Sequence, residues 1–178
     1  MVYIFLANGF EEIEAIAPLD ILRRAGIEVN LVAIEGLKAK GSHGIEITCD
    51  TKIDDISYNN LDMIILPGGM PGTLNLKKNA KVLKAIDYCV NNDKYIGAIC
   101  AAPSILGAFG YLKGKNATCF PGFEEELKGA NFVDAKVVKD GIFITSKGAG
   151  TALDFGYFLL SLFDKNASAR LREDMQCE

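Results

Sequence analysis

"YIGAICAAPSIL" (95–106) joins a short apolar run, 95–99, to a helix-like run beginning near Ala101, with one cysteine at the junction. A five-residue strand passing straight into a helix is half of a βα unit, and the small residues around the junction show how tight it is. Ala98 and Ala102 stand two positions before and after Cys100. Small side chains there let strand and helix approach around a nucleophile elbow, which exposes the central side chain at the strand tip and turns backbone N–H groups towards it. A helix opening at the sulfur favours thiolate over thiol, and Pro103 suits a first helical turn, where its missing N–H costs nothing. The competing interpretation is a small buried residue where a strand stops, the common fate of a free cysteine.

On either side the chain alternates. Residues 2–7 (VYIFLA) form a β-rich run, and 11–26 (EEIEAIAPLDILRRAG) carry helical spacing with a stop at Gly26. Residues 28–34 form a strand, 40–50 a turn followed by a strand, and 62–69 (DMIILPGG) a buried strand running into a Pro-Gly-Gly loop. An amphipathic helix follows over 79–93, with Val82, Leu83, Ile86 and Val90 on one side. Beyond the cysteine, 135–145 predicts a hairpin turning at Asp140-Gly141, 151–163 a largely buried helix, and the charged tail a surface helix that frays at its end. This alternation predicts a three-layer α/β sandwich, flavodoxin-like, with a mostly parallel sheet and helices on both faces. No repeat, low-complexity segment or linker divides it, so one domain is expected over 1–178. Ligands in such sheets collect at the carboxyl ends of the strands, where "LANGFEE", "LPGGMPG" and "GAICAAP" would converge.

Composition removes several functions. The 178 residues carry a net charge of -4, which leaves no basic footprint for nucleic acid or anionic lipid. "MVYIFLANGF" lacks a basic n-region and a cleavage-like site, and the longest apolar run, 155–163, is far short of a membrane span; a cytoplasmic location is expected. Five scattered cysteines without a C-x-x-C pair form neither a disulfide framework nor a zinc site, and no metal and no cofactor are expected.

Two segments join Cys100. After a buried strand, Gly68 and Gly69 let the backbone come close to a ligand and point N–H groups at charge developing on the sulfur. In "NGFEEIEAIAPLD", Glu11 and Glu12 read as ordinary partners of a helix N-terminus. Glu14 lies among Ile13, Ala15, Ile16 and Ala17, and Pro18 denies its carbonyl the usual helical donor. A carboxyl buried beside a thiolate is pushed towards its protonated form and can donate to the sulfur. No histidine follows Cys100; the only one, His43, sits in a polar turn and reads as a surface residue. A Cys-His dyad with its base later in the chain is therefore unavailable.

"GFEEIEA", "RRAGIEV", "LPGGMPG", "AICAAPSIL", "CFPGFEEEL" and "ITSKGAGTALDFG", in that order, resemble the ThiJ/PfpI superfamily, specifically its DJ branch. The resemblance covers nearly the whole chain. It implies Cys100 as reactive nucleophile, Glu14 as the protonated glutamate hydrogen-bonded to it, and Gly69 and Ala101 as backbone donors to an oxyanion or an oxidised sulfur. Where many relatives carry a histidine near the nucleophile, this chain has Phe120, beside Cys119, and both are neighbouring site candidates. The histidine that follows the cysteine in protease-like relatives is replaced by Ala101. The implied activity is of the glyoxalase III or protein deglycase type, on small reactive aldehydes or glycated protein. The alternative is an oxidation sensor or redox-regulated chaperone using the sulfinate of Cys100; a cysteine peptidase or amidotransferase comes last, lacking its base. A homodimer is also implied, with His43 and Arg24 reaching across the interface.

Overall fold

The computed structural model describes residues 1–177. Its elements are β1 (Val2–Leu6), α1 (Glu12–Arg24), β2 (Val29–Ala33), β3 (Lys38–Lys40), β4 (Glu46–Thr48), β5 (Thr51–Lys52), β6 (Met63–Leu66), α2 (Gly72–Lys78), α3 (Ala80–Asn91) and β7 (Tyr95–Ile99). There follow α4 (Pro103–Ala108), β8 (Asn116–Ala117), β9 (Asn131–Phe132), β10 (Val137–Asp140), β11 (Phe143–Ser146), α5 (Ala152–Ser161) and α6 (Lys165–Asp174). A seven-stranded sheet has the order β10-β11-β7-β6-β1-β2-β5. Every pairing in it is parallel except β10 with β11. The order of β2, β1, β6, β7 and β11 is the flavodoxin-like 2-1-3-4-5.

Strands covered on both faces need apolar residues at every position, and β1 and β6, "VYIFL" and "MIIL", are buried throughout. The two-residue pleat divides them between two cores. Tyr3, Phe5, Ile64, Leu66, Ile96 and Ala98 pack beneath α2, α3 and α4, against Leu76, Val82, Ile86 and Ile105. Val2, Ile4, Leu6, Met63 and Ile65 face α1 and α5, against Ala15, Leu22, Phe155 and Leu159. The helices on both faces are thus as the alternation predicts.

Two local expectations, the hairpin turn and the start of the helix after Cys100, are corrected, and the strand within 40–50 and the surface helix of the tail are present with added detail. The strand expected within 40–50 is β4, and it pairs antiparallel with β3 in a hairpin outside the main sheet. In the β10–β11 hairpin Asp140 still pairs, opposite Phe143, so Gly141 and Ile142 make the turn. The helix after Cys100 begins at Pro103, two residues later than the apolar pattern implies. The tail helix α6 has no buried residue, yet it lies along α5, and Leu171 and Met175 pack against the core. The fraying expected at the chain end falls partly on residue 178, outside the described residues. Among the described residues no helix is long and apolar enough to cross a membrane.

Candidate active site

The strand-end loops after β1, β6 and β7 meet at one edge of the sheet. Glu11 N–H donates to Gly68 O at 3.0 Å, and Gly72 N–H donates to Gly9 O at 3.1 Å, which locks the first two loops together. Gly69 lies at φ +86°, and a Cβ there would collide with Glu11 N, so only glycine fits. Gly68 is a matter of close approach. A Cβ on it would stand 2.7 Å from Cys100 Cβ and 2.7 Å from Glu14 Oε2, so these two side chains meet over its bare Cα.

Cys100 has φ +65°, a left-handed conformation for a residue with a side chain. Two backbone hydrogen bonds hold it: its N–H donates to Ser146 O and its carbonyl accepts from Phe120 N–H, each at 2.9 Å. Ala98 and Ala102, the small residues flanking the elbow, are fully buried. Glu14 is 1% exposed on the first turn of α1. Its Oε2 accepts from Gly68 N–H at 2.8 Å, while Oε1 has no hydrogen-bond partner. Burial pushes its carboxyl up to about 7, against the pull of the Cys100 thiol and the Gly68 N–H, with Glu11 adding to the rise.

The sulfur does not behave as the sequence predicts. Burial pushes the Cys100 thiol up to about 12; the Glu14 carboxylate adds to the rise, and the N–H groups of Gly69 and Ala101 oppose it. A helix that starts only at Pro103 does not outweigh a dry pocket and an adjacent negative charge. A proton on Glu14 removes the charge that adds to the rise, while burial, the larger cause, remains. Gly68 is corrected as a donor to the sulfur, because its N–H is taken by Glu14.

The remaining candidates separate. Phe120 is 45% exposed, with its N–H on the Cys100 carbonyl and its ring, like the sulfur, within 4 Å of where a Cβ on Gly148 would stand. Cys119 is fully buried in the core on the other face of the sheet, its thiol pushed up to about 11 by burial, so it is not brought to the site. Arg24 pairs with Asp20 at 2.8 Å at the far end of α1 from Glu14. His43 is exposed, with Nδ1 3.1 Å from Glu12 Oε2. Glu12 is more than a helix-terminus charge: it is buried, and its Oε1 accepts from the N–H groups of His43 and Ile45 at 2.9 and 3.4 Å. Glu11, Glu12 and His43 are the described side chains whose donor atoms lie close enough together, within 4.8 Å, to hold a metal ion. Their contacts are those of a hydrogen-bonded turn.

The sequence reading missed Ser146 and Gly148, which close the site from the end of β11. A Cβ on Gly148 would lie 3.0 Å from the Phe120 ring and 3.9 Å from Cys100 Sγ. Their signal is "TSKGAG", a strand end followed by glycines, the same cue as "LPGG".

Comparison with known proteins gives one consistent result. The DJ-1/PfpI family pattern matches residues 1–162. DJ-1 homolog B of Arabidopsis thaliana is 38% identical over 162 residues, 89% of this chain and 37% of that protein. The chain thus spans less than half the length of the two Arabidopsis homologues it matches. A protein named as a deglycase from Thermococcus kodakarensis is 32% identical over 151 residues, 84% of this chain and 90% of that one. The crystal structure of Drosophila melanogaster DJ-1beta superposes with a TM-score of 0.95 at 32% identity, covering 99% of this chain and 97% of that one.

Proposed function

The chain belongs to the DJ-1/PfpI family, and from that premise we propose that it is a cofactor-independent cysteine enzyme for small reactive carbonyls, of the glyoxalase III or protein deglycase type. One observation carries the proposal: a cysteine at a strained elbow shares its pocket with a buried carboxyl pushed up to about 7. A group poised at that value is available both as acid and as base near neutral pH. The deglycase name of the Thermococcus relative supports the substrate class.

Methylglyoxal serves as the example. Cys100 Sγ adds to the aldehyde carbon as the thiol proton passes to the Glu14 carboxylate. The resulting oxyanion sits on the N–H groups of Gly69 and Ala101 until Glu14 returns the proton, giving a hemithioacetal. Glu14 then takes the proton from that carbon and returns it to the neighbouring ketone carbon, while the hemithioacetal hydroxyl proton passes to the ketone oxygen. The aldehyde carbon is oxidised to a thioester and the ketone is reduced to an alcohol, so no outside oxidant or reductant is needed. Water cleaves the thioester, releasing lactate and restoring the thiol. The five cysteines, all free, fit work in the reducing cytoplasm. A homodimer through the exposed Ile13, Ile16 and Ile45 completes the proposal.

Lactate release from methylglyoxal tests it. Cys100→Ala abolishes turnover, and Glu14→Gln lowers kcat/KM by about 10²–10⁴-fold, the usual worth of a general acid–base group. Equal lactate from wild type and both variants overturns the proposal.

A second reading draws on the same pocket. Cys49, Cys89 and Cys119 are buried, whereas Cys100 and Cys177 are partly exposed, so an oxidant meets Cys100 before the buried three. Backbone donors and a protonated carboxyl also stabilise a sulfinate, the form used by an oxidation sensor or redox-regulated chaperone. Peptide mass after mild peroxide separates the readings: a selective gain of two oxygens on Cys100 supports sensing.

A further inference from the structure

β11 is buried along its whole length, and a strand covered on both faces calls for apolar residues throughout. It nonetheless ends in two hydroxyls, Thr145 and Ser146, 1% and 0% exposed. Buried polar groups are kept where they find partners. The two-residue pleat sends these two to opposite faces, Thr145 with Phe143 beneath α2, α3 and α4, and Ser146 with Ile144 towards α5. Thr145 Oγ1 accepts from Thr118 N–H at 2.9 Å. Two residues further on, Phe120 N–H donates to Cys100 O at 2.9 Å. On the opposite face Ser146 Oγ donates to Lys136 O at 2.7 Å and lies 2.7 Å from Thr151 Oγ1. The carbonyl of the same Ser146 accepts from Cys100 N–H at 2.9 Å. The two hydroxyls thus brace the segments that hold Cys100, one by its carbonyl and one by its N–H.

We propose that Thr145 and Ser146 are positioning residues for the nucleophile: the paired hydroxyls at the end of β11 keep Cys100 in its left-handed conformation, with its side chain against Gly68 and Glu14. A residue with a side chain stays at φ +65° only where its surroundings over-determine it. Cys100 lies one residue beyond the end of β7, and its two backbone hydrogen bonds run to segments whose footing is Thr145 and Ser146. Valine at 145 would fill nearly the volume of threonine and leave Thr118 N–H without its acceptor, so the hydroxyl, not the bulk, is what the position needs. Without either brace the elbow relaxes towards an ordinary conformation. The thiol then leaves its dry place beside the Glu14 carboxylate, the two causes that raise it most, and reacts at lower pH. The effect on turnover rests on the carbonyl-enzyme proposal above; the effect on thiol reactivity does not.

The test compares wild type, Thr145→Val, Thr145→Ser, Ser146→Ala and Ile86→Val by two readouts. One is the pH profile of Cys100 alkylation by iodoacetamide, located by mass; the other is lactate release from methylglyoxal. A misplacement of about 1 Å costs up to about 10²-fold in rate. Thr145→Val and Ser146→Ala should move the alkylation profile to lower pH and reduce kcat by about 10- to 10²-fold with little change in KM. Thr145→Ser keeps the hydroxyl and should match wild type in both. Ile86→Val, a core change on α3, should lower the melting temperature without moving the profile, which marks what loss of stability alone does. Unmoved profiles in Thr145→Val and Ser146→Ala, or an equal movement in Ile86→Val, overturn the positioning role. If either β11 variant fails to fold, Thr151→Val, which removes the half-buried partner of Ser146 Oγ, takes its place with the same expected and overturning results. A moved profile with no lactate even from wild type upholds the positioning role and overturns the carbonyl proposal alone. Lactate from wild type with unmoved profiles does the reverse.

Discussion

At Cys100 the backbone holds a conformation that costs about 1–3 kcal/mol in a residue with a side chain, fastened by Ser146 and Phe120. Glu14 adds a second local cost whose sign depends on pH. Its carboxyl is raised from 4.5 in the open chain to about 7 in the folded one. The folded state therefore binds more protons between these values, and stability falls as pH rises through the window. The contribution is fully present below pH 4.5 and lost above about 7, on the order of 3 kcal/mol at 1.36 kcal/mol per pKa unit. Denaturant melts at pH 5 and pH 8 check this. Wild type should lose stability relative to Glu14→Gln on going to pH 8, and parallel behaviour of the two proteins would contradict it. Burial of Glu14 was legible in its apolar neighbours and the elbow in the alanines at 98 and 102. The direction of the Cys100 shift was not, because it is set by desolvation and by a carboxylate 86 positions away in the chain, neither of which leaves a local pattern.

Among the elements, the turn between β3 and β4 shows a buried carboxylate doing structural work. Glu12 reaches from the first turn of α1 and accepts from the N–H groups of His43 and Ile45. The same turn is tied to the site loop by Gly9 N–H to Lys40 O and Ser42 N–H to Phe10 O, both at 2.8 Å. Glu12→Ala leaves those donors without their partner, which costs about 1–3 kcal/mol. Glu12→Gln keeps an acceptor. Amide hydrogen exchange at His43 and Ile45 should quicken strongly in the alanine variant and little in the glutamine variant; equal protection in all three proteins would refute the role. First-turn acids are so common at helix N-termini that sequence alone assigns Glu12 to the dipole, and only the folded-back hairpin reveals its partners. The interior proline of α1 was legible, but its companion was not. A Cβ on Gly156 of α5 would lie 3.1 Å from Pro18 Cα, so the two helices cross where one has lost its side chain.

Across the whole molecule, alternation in the sequence is enough to predict a parallel sheet, because a βαβ crossover leaves both strand faces covered and both must be apolar. Strand order is a different matter: nothing in "VYIFL" or "MIIL" says which is the other's neighbour, and the 2-1-3-4-5 order emerges only from the packed sheet. That order sets β1 beside β6, and β6 beside β7, which brings a carboxyl from 14 and a thiol from 100 to one edge. The same helix that supplies Glu14 turns Ile13 and Ile16 outward, 55% and 37% exposed, and Ile45 of the Glu12-bound turn is 57% exposed alongside them. Three isoleucines around one shallow groove make an apolar patch of the sort that partners cover. If a second copy covers it, as proposed, sedimentation should give twice the chain mass for wild type. Ile13→Glu with Ile45→Glu should give a folded monomer, since neither side chain is part of the core. Because α1 carries both the patch and Glu14, the monomer also tests coupling: unchanged lactate turnover would show that each site is complete within its own chain, and a fall in kcat with an intact far-ultraviolet spectrum would show that the partner steadies the helix that holds Glu14.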